Sequence, residues 1–246
     1  MLSLKEDSQI TLEINKEHLK AFDRIKDLYL PKTIVPKENN WKSLSNDDIW
    51  FHIVAQVMIV GNSKPYDKFI KDENLKNQIS FQTLLNIENQ ETIAKIINHI
   101  LREVGSRYAN KTLSKCMKTR ALVTNFNYLK KYNDGPIGFL NYISKIDNEK
   151  QRIRYVVNNF KYVKNKGARD LLMELGLIRN SIAIDVRIQN ILKKMGIEIS
   201  QDSLSNPLRY EQIQKEIIEK ICNPLDISRI AFDRMLYQNY EEIMNK

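Results

Sequence analysis

The stretch from residue 158 to residue 195 constrains the fold of this chain more than any other part. Its apolar spacing is typical of a helix, a tight basic turn, a second helix, a short loop and a third helix. Lys166 opens the second helix, and Asp185 follows it by 19 residues (185 − 166) at the start of the third. The pattern therefore predicts two ionisable side chains, each at a helix N-terminus.

The rest of the chain also favours helices. Its 246 residues include only 7 glycines and 6 prolines, which stand at the ends of helical patterns. Residues 16–29, 49–60 and 90–104 show one-face or all-round apolar helical patterns, and the basic segment 107–132 surrounds a further apolar stripe. The alternating run 9–14 predicts one short strand. We therefore expect an all-α protein of about ten helices.

The net charge of +9 favours a polyanionic partner, because a positive surface gains affinity by displacing counterions from phosphates. General basicity of the source proteome is the alternative explanation. The longest apolar run, residues 53–61, has about half the length that a membrane span needs. We expect no membrane association, and no secretion, because the first residues lack an apolar signal core.

The cysteine content excludes several classes of site. Cys116 and Cys222 are the only cysteines and lie far apart in the sequence. They make a disulfide framework, a zinc knuckle or a four-cysteine iron–sulfur cluster very improbable. We expect the protein to work in a reducing cytoplasm, associated with the nucleoid.

The turn between the first two helices of the central stretch has the character of a phosphate-binding site. A tight turn can direct backbone N–H groups at phosphates, with the positive end of the next helix adding to the attraction. Lys161, Lys164 and Lys166 place charge beside this turn. The alternative is an exposed loop on a basic protein, and Asp185 has its own simple alternative as a helix N-cap.

These residues resemble the helix-hairpin-helix DNA glycosylase superfamily, and more narrowly the archaeal-type 8-oxoguanine DNA glycosylase/AP lyases. In that family a catalytic lysine follows the hairpin, and an aspartate lies one helix and one loop further on, as Lys166 and Asp185 do. Residues 104–111 (VGSRYANK) resemble the family's GxRYxNxK motif, and residues 59–63 (IVGNS) resemble its asparagine wedge loop. The resemblance covers roughly residues 45–195.

One departure concerns the hairpin itself. The family usually has two glycines in this turn, and Tyr162 and Lys164 occupy those places here. A side chain makes positive φ costly and crowds the approach of the backbone to a phosphate. The departure leaves open a relative that has lost DNA binding, or a hairpin that contacts DNA through Lys164.

The resemblance implies a two-lobed, all-α helix-hairpin-helix glycosylase fold with the active site in the cleft between the lobes. Residues 46–178 would form the lobe that contains the hairpin. Residues 1–45 together with 179–246 would form the second helical lobe. The partner would be damaged double-stranded DNA, and we expect a monomer that needs no cofactor and no metal.

The resemblance also implies roles for individual residues. Lys166 would be the nucleophile of a Schiff-base mechanism, and Asp185 would stabilise the cationic sugar. Asp170 is interpreted as a solvated or capping residue. The residues expected to contact DNA are Asn62, Arg107, Lys161, Lys164, Asn165 and Arg187. Those expected near the base pocket are Trp50 and Gln56.

The function that follows is base-excision repair of an oxidised purine, 8-oxoguanine, by a glycosylase with AP lyase activity. Two alternatives remain open at this point. One is a monofunctional lesion glycosylase that uses Asp185 and water and leaves Lys166 idle. The other is a non-catalytic, helical nucleic-acid-binding protein, which the missing hairpin glycines favour.

Overall fold

The computed structural model describes residues 10–245, and every regular element in that range is helical, which confirms the all-α prediction. The α-helices, in chain order, are α1 (Lys16–Tyr29), α2 (Asn46–Met58), α3 (Lys64–Lys71), α4 (Glu73–Ile79), α5 (Phe81–Leu85), α6 (Gln90–Glu103), α7 (Met117–Leu129), α8 (Gly135–Ser144), α9 (Glu149–Asn159), α10 (Asn165–Glu174), α11 (Val186–Lys194), α12 (Gln201–Ser205), α13 (Pro207–Ile217), α14 (Arg229–Gln238) and α15 (Tyr240–Asn245). Short 3₁₀ helices at Leu30–Lys32, Asn40–Ser43 and Leu113–Lys115 and a π-helical turn at Ile218–Cys222 complete them.

The strand predicted at residues 9–14 is wrong for its described part, residues 10–14, whereas residue 9 lies outside the described range. Side chains satisfy the backbone where a neighbouring strand would have done so. The Leu12 N–H donates to a carboxylate oxygen of Glu216 at 2.9 Å, and the Leu12 carbonyl accepts from Lys220 Nζ at 2.8 Å. Alternation alone is therefore not enough to make a strand without a partner edge.

Two basic or polar segments differ from their predicted form. Residues 107–116 contain one short 3₁₀ helix, and α7 begins only at Met117. Tyr108 adopts positive φ, which a right-handed helix does not contain. The three helices between residues 64 and 85 are five to eight residues long and had no separate prediction. Helices this short complete too few turns to show a 3.6-residue period.

The described chain forms two compact units, residues 37–178 and residues 10–36 with 179–245. Helix α2 forms the centre of the first unit, and nine of its 13 residues are buried. The core of the second unit gathers aliphatic and aromatic side chains of α1, α11, α13 and α14.

Residues 37–45 belong to the unit that contains α2–α10, although the sequence placed them with the other lobe. The N–H groups of Asn39 and Trp41 donate to the carbonyls of Gly176 and Leu175 at 2.9 and 3.1 Å. Gly176 has φ +69, and a Cβ there would lie 2.2 Å from the Lys37 carbonyl oxygen. Only glycine allows the segment to dock this closely on the end of α10.

Candidate active site and nucleic-acid interface

The predicted hairpin lies between the end of α9 at Asn159 and the start of α10 at Asn165. Tyr162 adopts φ +68, whereas Lys164 is extended, with φ −96 and ψ −175. The turn thus keeps a left-handed residue at Tyr162, the first of the two places where the glycosylase family that the sequence resembles has glycine, and not at Lys164, the second. A non-glycine residue in this region costs about 1–2 kcal/mol.

Buried side chains on both sides hold the strained turn. Asn125 of α7 is fully buried; its Nδ2 donates to the Lys161 carbonyl at 3.0 Å and its Oδ1 accepts from the Lys161 N–H at 2.7 Å. Phe160 and Val163 are buried on either side of Tyr162. Because this two-point clamp fixes the main chain, the turn persists without glycine, and the side chains of Lys161 and Lys164 remain exposed.

Lys166 is the second residue of α10, and its side chain is 28% exposed. Its Nζ lies 3.4 Å from Asp170 Oδ2, one helical turn further on. Gln56 Nε2 donates to the same oxygen at 2.8 Å from α2. The interpretation of Asp170 as a solvated or capping residue is wrong, because its side chain is only 13% exposed and joins Lys166 to the core helix.

Two further residues shape the surroundings of Asp170. A Cβ at Gly167 would lie 3.2 Å from Gln56 Oε1, so glycine leaves room for α2 to approach α10. His52 lies one turn before Gln56 on α2, and burial lowers its pKa, although nearby carboxylates of Glu174, Asp48 and Asp170 act in the opposite direction. The lowered pKa favours the neutral imidazole at pH 7. The hydrogen bond that α2 makes to Asp170 comes from the neutral amide of Gln56.

Trp50 does not fit the base-pocket role expected from the sequence. Its side chain is fully buried, and its Nε1 donates to the Ile79 carbonyl at 2.8 Å. Its ring packs edge-on against Phe81 and Phe126. Gln56, the other expected pocket residue, is also buried and is engaged with Asp170. The two residues act inside the unit, as core and as support for Asp170.

Asp185 is the N-cap of α11, in the unit that does not contain Lys166. Its Oδ1 accepts from the N–H groups of Arg187 and Ile188 at 2.9 and 3.0 Å. The described residues of its own unit leave Oδ2 without a hydrogen bond. The capping role and an available carboxylate oxygen are thus compatible in one side chain.

The chain segment that leads to Asp185 is held by buried polar side chains that the sequence did not reveal. The N–H groups of residues 182, 183 and 184 donate to Gln214 Oε1, Asp233 Oδ1 and the Tyr210 hydroxyl at 3.1, 2.6 and 2.7 Å. All three acceptors come from α13 and α14. These contacts fix the backbone immediately before Asp185 and hence the direction of its carboxylate.

The remaining predicted DNA contacts lie in both units. Asn62 and Arg107 are exposed and adjacent, because an Arg107 guanidinium nitrogen (Nη1) donates to the Gly61 carbonyl at 3.4 Å. Arg187 is half-buried, with its guanidinium carbon 4.5 Å from the centre of the Tyr237 ring. Asn165 is half-buried in the first turn of α10. The exposed ones, Asn62 and Arg107, are the more accessible to a nucleic acid.

The described residues contain no group of three or more His, Cys, Asp or Glu side chains that is arranged to hold a metal ion. Both cysteines are buried and unpaired with each other. Across residues 10–245 no helix has the length and apolarity needed to cross a membrane.

No family model and no curated protein sequence matches this chain. Solved structures do match it. The 8-oxoguanine DNA glycosylase of Thermotoga maritima shares 19% identity, with 90% of this chain and 95% of that chain covered and a TM-score of 0.63. The 8-oxoguanine DNA glycosylase of Methanocaldococcus jannaschii shares 15% identity over 91% and 92% of the two chains, with a TM-score of 0.65.

A third solved structure contains nucleic acid. It is the 8-oxoguanine glycosylase/lyase of Methanocaldococcus jannaschii in complex with a 15mer DNA containing 8-oxoguanine. It shares 14% identity, covering 93% of this chain and 97% of that chain, with a TM-score of 0.63. The likeness extends over nearly the whole chain in each case, and this protein has the helical fold of the 8-oxoguanine DNA glycosylases.

Proposed function

We propose that this protein is a DNA glycosylase with AP lyase activity that removes 8-oxoguanine from duplex DNA during base-excision repair. The observation that carries the proposal is the position of Lys166. Its amine stands in the first turn of α10, directly after a clamped hairpin with a left-handed residue, and is held by a carboxylate at 3.4 Å. The fold shared with 8-oxoguanine DNA glycosylases supports the same assignment.

Lys166 supplies the nucleophile. The damaged nucleotide leaves the base stack, and the neutral amine attacks C1′ of its sugar. The bond between C1′ and the base breaks, and the base leaves with a proton. The lone pair of the nitrogen then opens the C1′–O4′ bond of the sugar ring, O4′ takes up a proton, and a protonated Schiff base results. Removal of a C2′ proton then expels the 3′ phosphate, which cuts the strand.

Asp185 contributes charge rather than a bond. Its carboxylate is oriented by the N–H groups of Arg187 and Ile188, and the backbone before it is fixed by buried side chains. A preorganised carboxylate stabilises the positive charge that develops on the sugar as the base leaves. It also offers an acceptor for protons that move during the elimination.

DNA binding follows from exposed basic residues and from the half-buried Arg187. Lys161 and Lys164 contact phosphates beside the hairpin, together with the first N–H groups of α10 near Asn165. Arg107 and Arg187 add further phosphate contacts, and Asn62 fills the space left by the extruded base. The net charge of +9 increases the rate and the affinity of association.

Borohydride trapping on a duplex with one 8-oxoguanine tests this proposal. Wild type should give a covalent protein–DNA adduct, because borohydride reduces the Schiff base to a stable amine. Lys166→Gln should give none, and Asp185→Asn should lower the yield by about a hundredfold or more, since removing one electrostatic stabiliser costs a few kcal/mol. Lys145→Gln, which removes an exposed lysine at the end of α8 that has no proposed DNA contact, is the matched control and should keep the adduct.

One observation favours a second candidate, a monofunctional glycosylase. The Asp170 carboxylate stabilises the ammonium form of Lys166, which cannot attack a sugar. In that case wild type would release the base without forming an adduct, and Lys166→Gln would remain active. If no base is released from any lesion and intact duplex binds equally well, the non-catalytic binding protein is the correct assignment.

A further inference from the structure

Lys118 is a buried lysine that the proposed reaction does not use. It stands in the first turn of α7, and none of its surface is exposed. Its Nζ donates to the carbonyls of Met58 and Val60, each at 2.9 Å, and to the Ser106 hydroxyl at 3.0 Å. An ammonium group has three N–H donors, and all three are satisfied here. Full burial of a lysine is costly and calls for such a set of acceptors.

The three acceptors lie on two separate segments of the chain. Met58 is the last residue of α2, where the helix carbonyls lack partners within the helix, and a cation at this end is favoured by the helix dipole. Val60 lies in the turn that follows α2 and leads to Gly61 and Asn62. Gly61 in this turn adopts φ +87. Ser106 belongs to the segment after α6. One ammonium therefore joins the turn 58–62 to the segment 106–108.

The other contacts that join these two segments are weaker. The Ser106 hydroxyl donates to the Met58 carbonyl at 3.4 Å, and an Arg107 guanidinium nitrogen donates to the Gly61 carbonyl at 3.4 Å in an exposed position. Both distances lie at the long end for a hydrogen bond. The buried ammonium of Lys118 makes three shorter, charge-assisted hydrogen bonds, and these hold the two segments together more strongly than either of the two longer hydrogen bonds. Burial also lowers the pKa of Lys118 to about 8, which leaves the ammonium form dominant at pH 7.

We propose that Lys118 is a positioning residue, whose buried ammonium fixes the turn 58–62 and the segment 106–108 so that Asn62 and Arg107 meet duplex DNA in one ready-formed arrangement. The proposal rests on the function proposed above. A surface that is already ordered loses less conformational entropy when it binds. Lys118 touches no nucleic acid and acts through these two loops.

Hydrogen exchange on the DNA-free protein tests the structural part without reference to activity. Lys118→Met keeps an unbranched side chain that is one heavy atom shorter, and it removes the three donors. Exchange at the N–H groups of Asn62 and Ala109, which donate to Ile59 and Ser106 carbonyls, should speed up at least about tenfold. The N–H of Ala168 in α10 should not change. Lys130→Met, an exposed change at the end of the same helix, is the matched control.

A milder variant covers the case in which Lys118→Met does not fold. Ser106→Ala removes one of the three acceptors and should give a smaller increase in exchange at the same two N–H groups. If both variants exchange like wild type at these positions, Lys118 does not order the loops and the proposal is overturned.

A double-mutant cycle tests the functional part. Base extrusion is followed by the fluorescence of 2-aminopurine placed next to the lesion, with Lys118→Met, Asn62→Ala and the double variant compared. Each single variant should weaken the signal several-fold, and the loss in the double variant should be smaller than the product of the two single losses, because Lys118 acts in part through Asn62 and coupled residues are not additive. Losses that multiply would contradict the proposal. Absence of any signal in wild type would instead count against the glycosylase function, and the exchange data would still decide the role of Lys118.

Discussion

The carboxylate of Asp170 is a close negative charge that influences the protonation of Lys166. It lies 3.4 Å from the lysine amine and is held in place by Gln56 from a different helix. A neighbouring negative charge stabilises an ammonium group, whereas the positive end of α10 destabilises it. The two effects oppose each other, and the pH at which Lys166 becomes a nucleophile depends on their balance.

Replacing Asp170 by Asn should therefore change the pH dependence of the reaction. The substitution removes the charge and keeps an oxygen that can accept from Gln56. We expect the midpoint of the rise in single-turnover Schiff-base formation with pH to move to lower pH, because the neighbouring negative charge is lost. The rate at high pH should decrease as well, because the amine is less firmly placed.

The same experiment on Asp147→Asn, an exposed aspartate in the loop between α8 and α9, provides the control. An unchanged midpoint in Asp170→Asn would mean that the carboxylate does not control the protonation state of Lys166 during the reaction.

At the scale of the element, the hairpin shows how packing replaces a glycine. Tyr162 remains at φ +68 because the clamp from Asn125 and the burial of Phe160 and Val163 determine the path of the main chain. Lys164 needs no glycine, since its backbone is extended. The two substitutions therefore have different physical costs, although they look alike in the sequence.

Glycine and alanine variants at both positions separate these costs. Tyr162→Gly should be more stable than Tyr162→Ala by about 1 kcal/mol, because both lose the ring and only alanine keeps the left-handed strain. Lys164→Gly should be less stable than Lys164→Ala by about 0.5 kcal/mol, since glycine only adds freedom to the unfolded chain. Urea unfolding measures both differences, and the same sign at the two positions would contradict the structure.

At the scale of the whole molecule, the chain forms two compact units, and the unfolding of one of them can be measured separately. Both tryptophans, Trp41 and Trp50, lie in the unit formed by residues 37–178 and are buried there. Tryptophan fluorescence therefore follows the unfolding of that unit, which also contains the hairpin, Lys166 and Lys118. The titration of Lys118 should appear in this signal.

The stability of this unit should depend on pH through Lys118. Burial lowers its pKa from 10.5 to about 8. Between these values the unfolded chain binds a proton that the folded unit does not, so the free energy of unfolding rises with pH. Relative to Lys118→Met, wild type should gain about 3 kcal/mol between pH 7.5 and 10.5. A difference between the two proteins that stays constant over this range would refute the assignment.

Local features of the sequence determined the helical class, the approximate bounds of helices such as α1, α2 and α6, and the placement of two ionisable residues at helix starts. Capping side chains such as Ser45 and Asp185 act on N–H groups two or three residues away, and apolar spacing repeats within a single helix. Lys166 and Asp185 were therefore placed at helix N-termini from the sequence, whereas their part in catalysis stays a prediction.

The tertiary structure alone decided which polar residues are buried and what they hold. Gln56 and Asp170 are 114 residues apart, and Lys118 reaches carbonyls 58 and 60 residues away. The residues next to Lys118 and Asp170 in the sequence do not indicate that these side chains have such distant partners. Trp50 likewise turned out to be core. These contacts depend on how helices pack, and packing is set by side chains far apart in the sequence, so no periodicity or cap reveals it.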